Sequence, residues 1–277
     1  MDFIKEKVIV VLGASSGIGA EISEFFCKHG AYVQLAARRE NRLKEVCQKI
    51  NLASAKTVAY YTVCDATSYE DVEKLANETL ENFGTIDLWV NCTGQNKAIG
   101  NTWEIDQKTI WDEIDTNLHS CTNGTHVALK YMVPKNEGSI FNFCGGGTAM
   151  PHLYASAYSA SKTAIARFTE AVQLELDEAN LNVKVFAGNP GLVYNERTHL
   201  LTVDENSLKY MPNIKTAFET GKHHPSSNIA TYISYILSGK IDGYAGKLAQ
   251  APKNIEEVIA NNELFINNEK GLLRIVD

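Results

Sequence analysis

A tyrosine and a lysine stand four residues apart in Tyr158-Ser159-Ala160-Ser161-Lys162. On a helix, positions i and i+4 share a face, so this phenol and this ammonium can meet. An ammonium favours the phenolate. At about 4 Å and an effective dielectric near 20 the attraction is roughly 4 kcal/mol, or about three pK units. That shift brings a phenol from about 10 to about 7, where it can give and take a proton at neutral pH. Alone the spacing says little, because a core tyrosine and a surface lysine fall four apart in many helices.

A second group could hold an anion. Gly13-Ala14-Ser15-Ser16-Gly17-Ile18-Gly19 follows the apolar run Val8–Leu12 and opens an amphipathic stretch. Glycines let the backbone turn sharply and let a pyrophosphate approach. The helix behind them offers free N–H groups and the positive end of its dipole. Strand, turn and helix together read as a nucleotide site, with Gly13, Ser15, Ser16, Gly17, Ile18 and Gly19 in contact. The next strand ends in Leu35-Ala36-Ala37-Arg38-Arg39. An NAD site usually has an acid there for the ribose 2′-hydroxyl, whereas arginine suits a 2′-phosphate. Ala37 takes the place of the acid, so the cofactor expected is NADPH (NADP+), held by Arg38 ahead of Arg39.

The elements that must position these groups alternate along the chain. Short apolar runs read as strands at 8–12, 31–36, 57–63, 86–91, 139–143 and 183–187. Helical periods lie between them at 17–29, 40–50, 69–83, 109–132 and 155–179. Strands alternating with helices imply βαβ units and a parallel sheet. The fold class expected is α/β: a single Rossmann-type, doubly wound parallel sheet with helices on both faces, over residues 1–277. Residues 192–224 break the rhythm as an aperiodic insertion before the last helix, where a substrate lid belongs. Tyr194, Arg197, His199, Tyr210, Met211 and Phe218 are expected to pack that lid, and His223-His224 to be solvated. The tail, about 250–277, reads as partly helical with an apolar end at Leu272, Leu273, Ile275 and Val276.

Composition excludes several classes. With 44% hydrophobic and 21% charged residues the chain has enough apolar content for a core. A net charge of -7 gives no overall attraction for nucleic acid or anionic lipid. No apolar run is long enough for a signal core or a membrane span, so a cytoplasmic protein is expected. The six cysteines include no CxxC pair, which argues for reduced thiols and against a zinc site.

The glycine loop, Asn91-Cys92-Thr93-Gly94, Asn117 and the Tyr158/Lys162 pair occur in an order and at intervals that resemble the short-chain dehydrogenase/reductase superfamily. The resemblance runs from about Lys7 to about Gly246. It implies that Asp65 bonds the adenine, and that Asn91 and Gly94 support the sheet and line the coenzyme cleft. It implies that Pro190-Gly191 turns beside the nicotinamide, and that Asn117 completes a proton relay with Tyr158 and Lys162. Homodimers or homotetramers through the two long helices, acting on a small-molecule carbonyl or alcohol, are also implied. Asn195 stands where the family often has a threonine. The family's serine, thirteen residues before its tyrosine, is replaced by Gly145 in Asn142-Phe143-Cys144-Gly145-Gly146-Gly147-Thr148. That segment resembles a branch reading Ser-Gly-Gly-Gly-Ala-Thr, with Cys144 in place of the serine. Cys144 is therefore a catalytic candidate, with Thr148, Thr93 or a glycine N–H as alternatives. The expected activity is NADPH-dependent reduction of a carbonyl. The other reading is a catalytically impaired member that binds nucleotide or a partner.

Overall fold

The computed structural model describes residues 1–250, 254–266 and 268–274; Ile275 and Val276 fall outside them. β1 (Val8–Leu12), β2 (Tyr32–Ala37), β3 (Ala59–Val63), β4 (Leu88–Asn91), β5 (Gly138–Phe143), β6 (Val183–Asn189) and β7 (Leu248–Gln250) form one sheet. Its order is β3-β2-β1-β4-β5-β6-β7, and every pairing is parallel. β1 is apolar throughout because both of its faces are covered. Ile9 and Val11 face one core cluster; Val10 and Leu12 face the other.

The first cluster is closed by α1 (Gly17–Lys28), α2 (Glu40–Ser54) and, from late in the chain, α10 (Ser226–Ile236), through Ile22, Phe26, Leu43, Ile229 and Ile233. The second is closed by α3 (Tyr69–Phe83), α5 (Ser120–Met132) and α6 (Ser156–Glu178), through Val72, Leu75, Val127, Met132 and Val172. α4 (Gln107–Ile114) runs into α5 through a widened π-helical turn at Asp115–His119, where the sequence predicts an unbroken helix.

The insertion is more regular than its sequence suggests. It holds α7 (Glu196–Leu200), α8 (Glu205–Tyr210) and α9 (Pro212–Glu219). Tyr194 packs edge-on against Phe218 at 4.9 Å, and His223 is solvent-exposed as expected, its ring 6.1 Å from that of Tyr194 and 5.8 Å from that of Phe218. The tail contributes β7, which the sequence reading missed, and then α11 (Ile255–Ala260) and α12 (Asn262–Ile266). Among the described residues no helix is long and apolar enough to cross a membrane.

Candidate active site

Parallel strands put all their carboxyl ends on one edge, and the sheet order reverses direction between β1 and β4. A crevice at such a reversal is where open α/β sheets bind ligands. Gly13 leaves β1 with φ of +100°, and a Cβ on it would lie 2.8 Å from the Thr93 nitrogen. A Cβ on Gly19 would lie 2.2 Å from the Gly13 oxygen, so α1 packs onto the loop with no room for a side chain. Ser16 precedes α1 without making a side-chain capping bond, leaving the helix's first N–H groups uncapped. Ile18 anchors the loop against the core.

The Arg39 guanidinium crosses from the end of β2 and donates to Ser16 Oγ at 2.6 Å and to Ser15 Oγ at 3.2 Å. Arg38, expected to lead, is exposed, as Arg39 is, and its charge also lowers the Asp65 carboxyl. Successive residues leave a strand on opposite sides, and the one turned toward the loop is Arg39. Burial opposes ionisation of Asp65, but the Thr67 N–H and hydroxyl, with Arg38 behind them, hold its carboxyl below the ordinary value. The cap of α3 is Ser68, which accepts from the Asp71 N–H, so Asp65 is not the capping residue.

Asn91 ends β4 wholly inside the protein. Its Oδ1 accepts from Trp89 Nε1 at 2.8 Å; its Nδ2 donates to Asn142 Oδ1 at 2.8 Å and Thr125 Oγ1 at 3.1 Å. Asn142 in turn donates to Thr169 Oγ1 at 2.9 Å. This chain ties β4 and β5 to α5 and α6. A Cβ on Gly94 would lie 2.9 Å from Asn117 Oδ1 and 3.3 Å from Lys162 Nζ, so the two side chains converge over that glycine. Asn117, in the π-helical turn, accepts from the Gln95 N–H at 2.6 Å and donates to Ser161 Oγ at 3.0 Å. Widened turns of this kind recur at functional sites.

Tyr158 and Lys162 share a face of α6, but the ammonium does not sit on the phenol. Lys162 Nζ donates to the Phe143 carbonyl at 2.9 Å and lies 5.9 Å from the centre of the Tyr158 ring. Burial pushes the Tyr158 phenol above its ordinary value; Arg197 pulls it back, and Cys144 and Glu113 push it further up. The sequence predicts a phenol drawn toward neutrality by Lys162; here burial is the larger influence on it, and the ammonium is held by the last carbonyl of β5. Burial also lowers Lys162, with Cys144 and Cys121 opposing.

Cys144 does not face the cleft as a donor. It packs with Cys121, Ile165, Ala187 and Leu248. Its thiol is 3.8 Å from the Lys162 carbonyl, and burial pushes it up to about 12. Pro190 and Gly191 follow β6, with Gly191 at φ +72° and its N–H bonded to Asn189 Oδ1 at 3.0 Å. Asn195 caps α7 in a reciprocal box with Thr198. A Cβ on Gly17 would lie 3.2 Å from Asn195 Oδ1, which places the start of α7 over the glycine loop.

Two charged residues near Tyr158 escaped the sequence reading. The sequence predicts only lid packing for Arg197, two residues into α7, yet its charge reaches Tyr158, Lys162 and Cys92. Glu113 is fully buried on α4 and accepts from the Lys97 and Ala98 N–H groups, while its Oε1 has no partner among the described residues. An arginine after the Asn195 cap was the available signal for the first. Nothing local marks the second, because an exposed glutamate on a helix looks the same in sequence.

The short chain dehydrogenase family model matches residues 7–206. An uncharacterised oxidoreductase of Staphylococcus epidermidis is 32% identical over 225 residues, 80% of this chain and 94% of its own. A Streptomyces coelicolor protein provisionally named a ketoacyl reductase is 30% identical over 253 residues, 88% of this chain and 94% of its own. Among solved structures, a variant of the actinorhodin polyketide ketoreductase with NADPH superposes with a TM-score of 0.77 at 28% identity, covering 90% of this chain and 97% of that one. Matches that run over most of this chain and nearly all of its relatives are matches of whole folds, and the chain belongs to the short-chain dehydrogenase/reductase superfamily of nicotinamide-dependent oxidoreductases.

Proposed function

We propose that the protein reduces a carbonyl to an alcohol with NADPH, and that Tyr158 protonates the oxygen. The observation that carries this reading is the meeting of Tyr158, Lys162 and Asn117 at the carboxyl edge that also bears the glycine loop. The loop fits a pyrophosphate: two of its glycines leave no space for a Cβ, and the α1 N–H groups behind it are uncapped. Arg39 on the loop serines, with no acid at Ala37, suits a 2′-phosphate. Asp65 would meet the adenine, Lys162 the ribose, and Gly191 the nicotinamide side of the cleft.

When bound, the reduced nicotinamide supplies the hydride. The chain's residues do the rest. The carbonyl π pair moves onto oxygen as the carbon is reduced, and the Tyr158 hydroxyl gives that oxygen its proton. Lys162, fixed by the Phe143 carbonyl, places a positive charge in a buried setting where it favours the phenolate left behind. Asn117 holds the Gln95 segment and Ser161 around that ammonium. Segment 192–224 serves as the lid. The relatives named for ketoacyl and polyketide ketone reduction point the same way.

Thermal shifts with NADPH and NADH, then a carbonyl panel followed at the nicotinamide absorbance, test this. NADPH is expected to bind about tenfold to a hundredfold more tightly than NADH, from a charge-assisted contact, and Arg39→Ala to erase the difference. Tyr158→Phe is expected to abolish turnover while NADPH still binds, because its hydroxyl serves the transition state. Equal binding of both coenzymes overturns the NADPH assignment; an active Tyr158→Phe overturns the proton donor.

A further inference from the structure

A reductase must stabilise negative charge building on the carbonyl oxygen, and a single phenol is one donor toward it. Position 145, where a serine side chain could supply another, is glycine. That space is already filled. A Cβ on Gly145 would lie 2.1 Å from the Tyr158 hydroxyl, so the hydroxyl packs directly on the Gly145 backbone. Two of the neighbouring polar side chains are engaged elsewhere. Cys144 is buried and turned to the Lys162 carbonyl. The Thr148 hydroxyl accepts from the Gly145 N–H at 3.1 Å and donates to the Gly145 carbonyl at 2.8 Å.

The Thr148 N–H also donates to the Gly145 carbonyl, at 3.1 Å, closing a four-residue turn with Gly146 and Gly147 at its centre. Neither central glycine is in the left-handed region. In such a turn the central N–H groups point away from the closing bond, like the first N–H groups of a helix. The Gly146 N–H has no acceptor among the described residues. Gly146 is exposed, and a Cβ on it would meet nothing within 4 Å, so open space lies over it. Gly147 is shut in, since its Cβ would lie 2.4 Å from Ser159 Oγ.

We propose that the Gly146 N–H, one peptide beyond the Cα on which the Tyr158 hydroxyl packs, is the second hydrogen-bond donor to the substrate's carbonyl oxygen. This rests on the carbonyl-reductase reading above. The amide transfers nothing. It holds the oxygen while the carbon takes hydride, the π pair moves onto oxygen and Tyr158 delivers the proton. A main-chain donor on a closed turn is fixed before substrate arrives, as in the oxyanion holes of acyl-transfer enzymes. With no side chain at 145, the Tyr158 hydroxyl lies on the Cα one peptide before this amide.

Gly146→Pro removes the N–H, and proline suits the second position of such a turn. Gly146→Ala keeps the N–H and adds a methyl to open space. With a ketone that the wild type reduces, Gly146→Ala is expected to keep kcat within about threefold. Gly146→Pro is expected to lose about 10²-fold, near the loss seen when an oxyanion donor is removed. The thermal shift with NADPH should be the same in all three. As a second measurement needing no proline variant, [15N]glycine-labelled wild type is titrated with the ketone in the presence of NADP+. The Gly146 amide proton, assigned by its loss in Gly146→Ala, should move downfield. A wild type that binds NADPH but reduces no carbonyl overturns the reductase reading and this donor with it. An active wild type with Gly146→Pro matching Gly146→Ala, or an unmoved Gly146 resonance, overturns the donor alone. So does a 10²-fold loss in Thr93→Val with none in Gly146→Pro.

Discussion

At the scale of single residues, the charges around Tyr158 set the pH range in which it can donate a proton. The protonated phenol is the active form for reduction, so the rate is full below its pKa and falls as pH rises through it. Burial raises that pKa, Arg197 lowers it and Glu113 raises it. Arg197→Gln should therefore move the alkaline limb of kcat/KM upward, and Glu113→Gln should move it downward. Profiles taken at saturating coenzyme check the pair; shifts in the same direction would remove Tyr158 as the titrating group. Cys144→Ala should leave kcat and KM nearly unchanged, because its sulfur packs in an apolar cluster and stays protonated. The Tyr158/Lys162 spacing and the glycine loop were legible because each lies within a few consecutive residues. That Lys162 turns to the Phe143 carbonyl, or that Arg39 rather than Arg38 bridges the loop serines, depends on strand ends far away in sequence.

At the scale of elements, the site rests on a buried polar chain between β4 and β5. The register pairs Asn91 with Asn142, and the two amides bridge outward to Trp89, Thr125 and Thr169. Asn91→Leu leaves the Trp89 N–H without its partner, while the Asn142 oxygen loses one of its two donors and keeps Thr125 Oγ1 at 3.2 Å. An orphaned buried donor costs about 1–3 kcal/mol, so a loss of about that size in urea unfolding is expected. A variant as stable as the wild type would show that the chain is not needed to hold the sheet. Six strands were readable as short apolar runs, plainest at β1 and β4, which are covered on both faces. β7 was missed because three residues paired to the end of β6 carry no period. The π-helical turn at Asn117 was missed for a related reason. The helical pattern on either side of it is intact, and the extra residue per turn shows only in the backbone.

At the scale of the whole molecule, six early elements build the nucleotide half and the later ones return across it. The 192–224 segment looked irregular in sequence because helices of five, six and eight residues are too short to show an amphipathic face. Its first helix reaches back over the whole chain to α2, where Glu196 meets Arg42. Both side chains are about half exposed, and that has a consequence for traffic through the site. Exposed ion pairs hold weakly, and salt screens them within roughly 10 Å at ordinary ionic strength. On the lid reading proposed above, this pair between α7 and α2 is a weak catch, and ionic strength would throttle it. Raising salt from about 0.02 M to about 0.5 M should speed coenzyme escape in stopped-flow displacement, where the Debye length falls from tens of ångströms to a few. Glu196→Gln should begin fast and lose much of that response. If the two proteins answer salt alike, escape is governed by the coenzyme's own phosphates, and the gate has no electrostatic hinge.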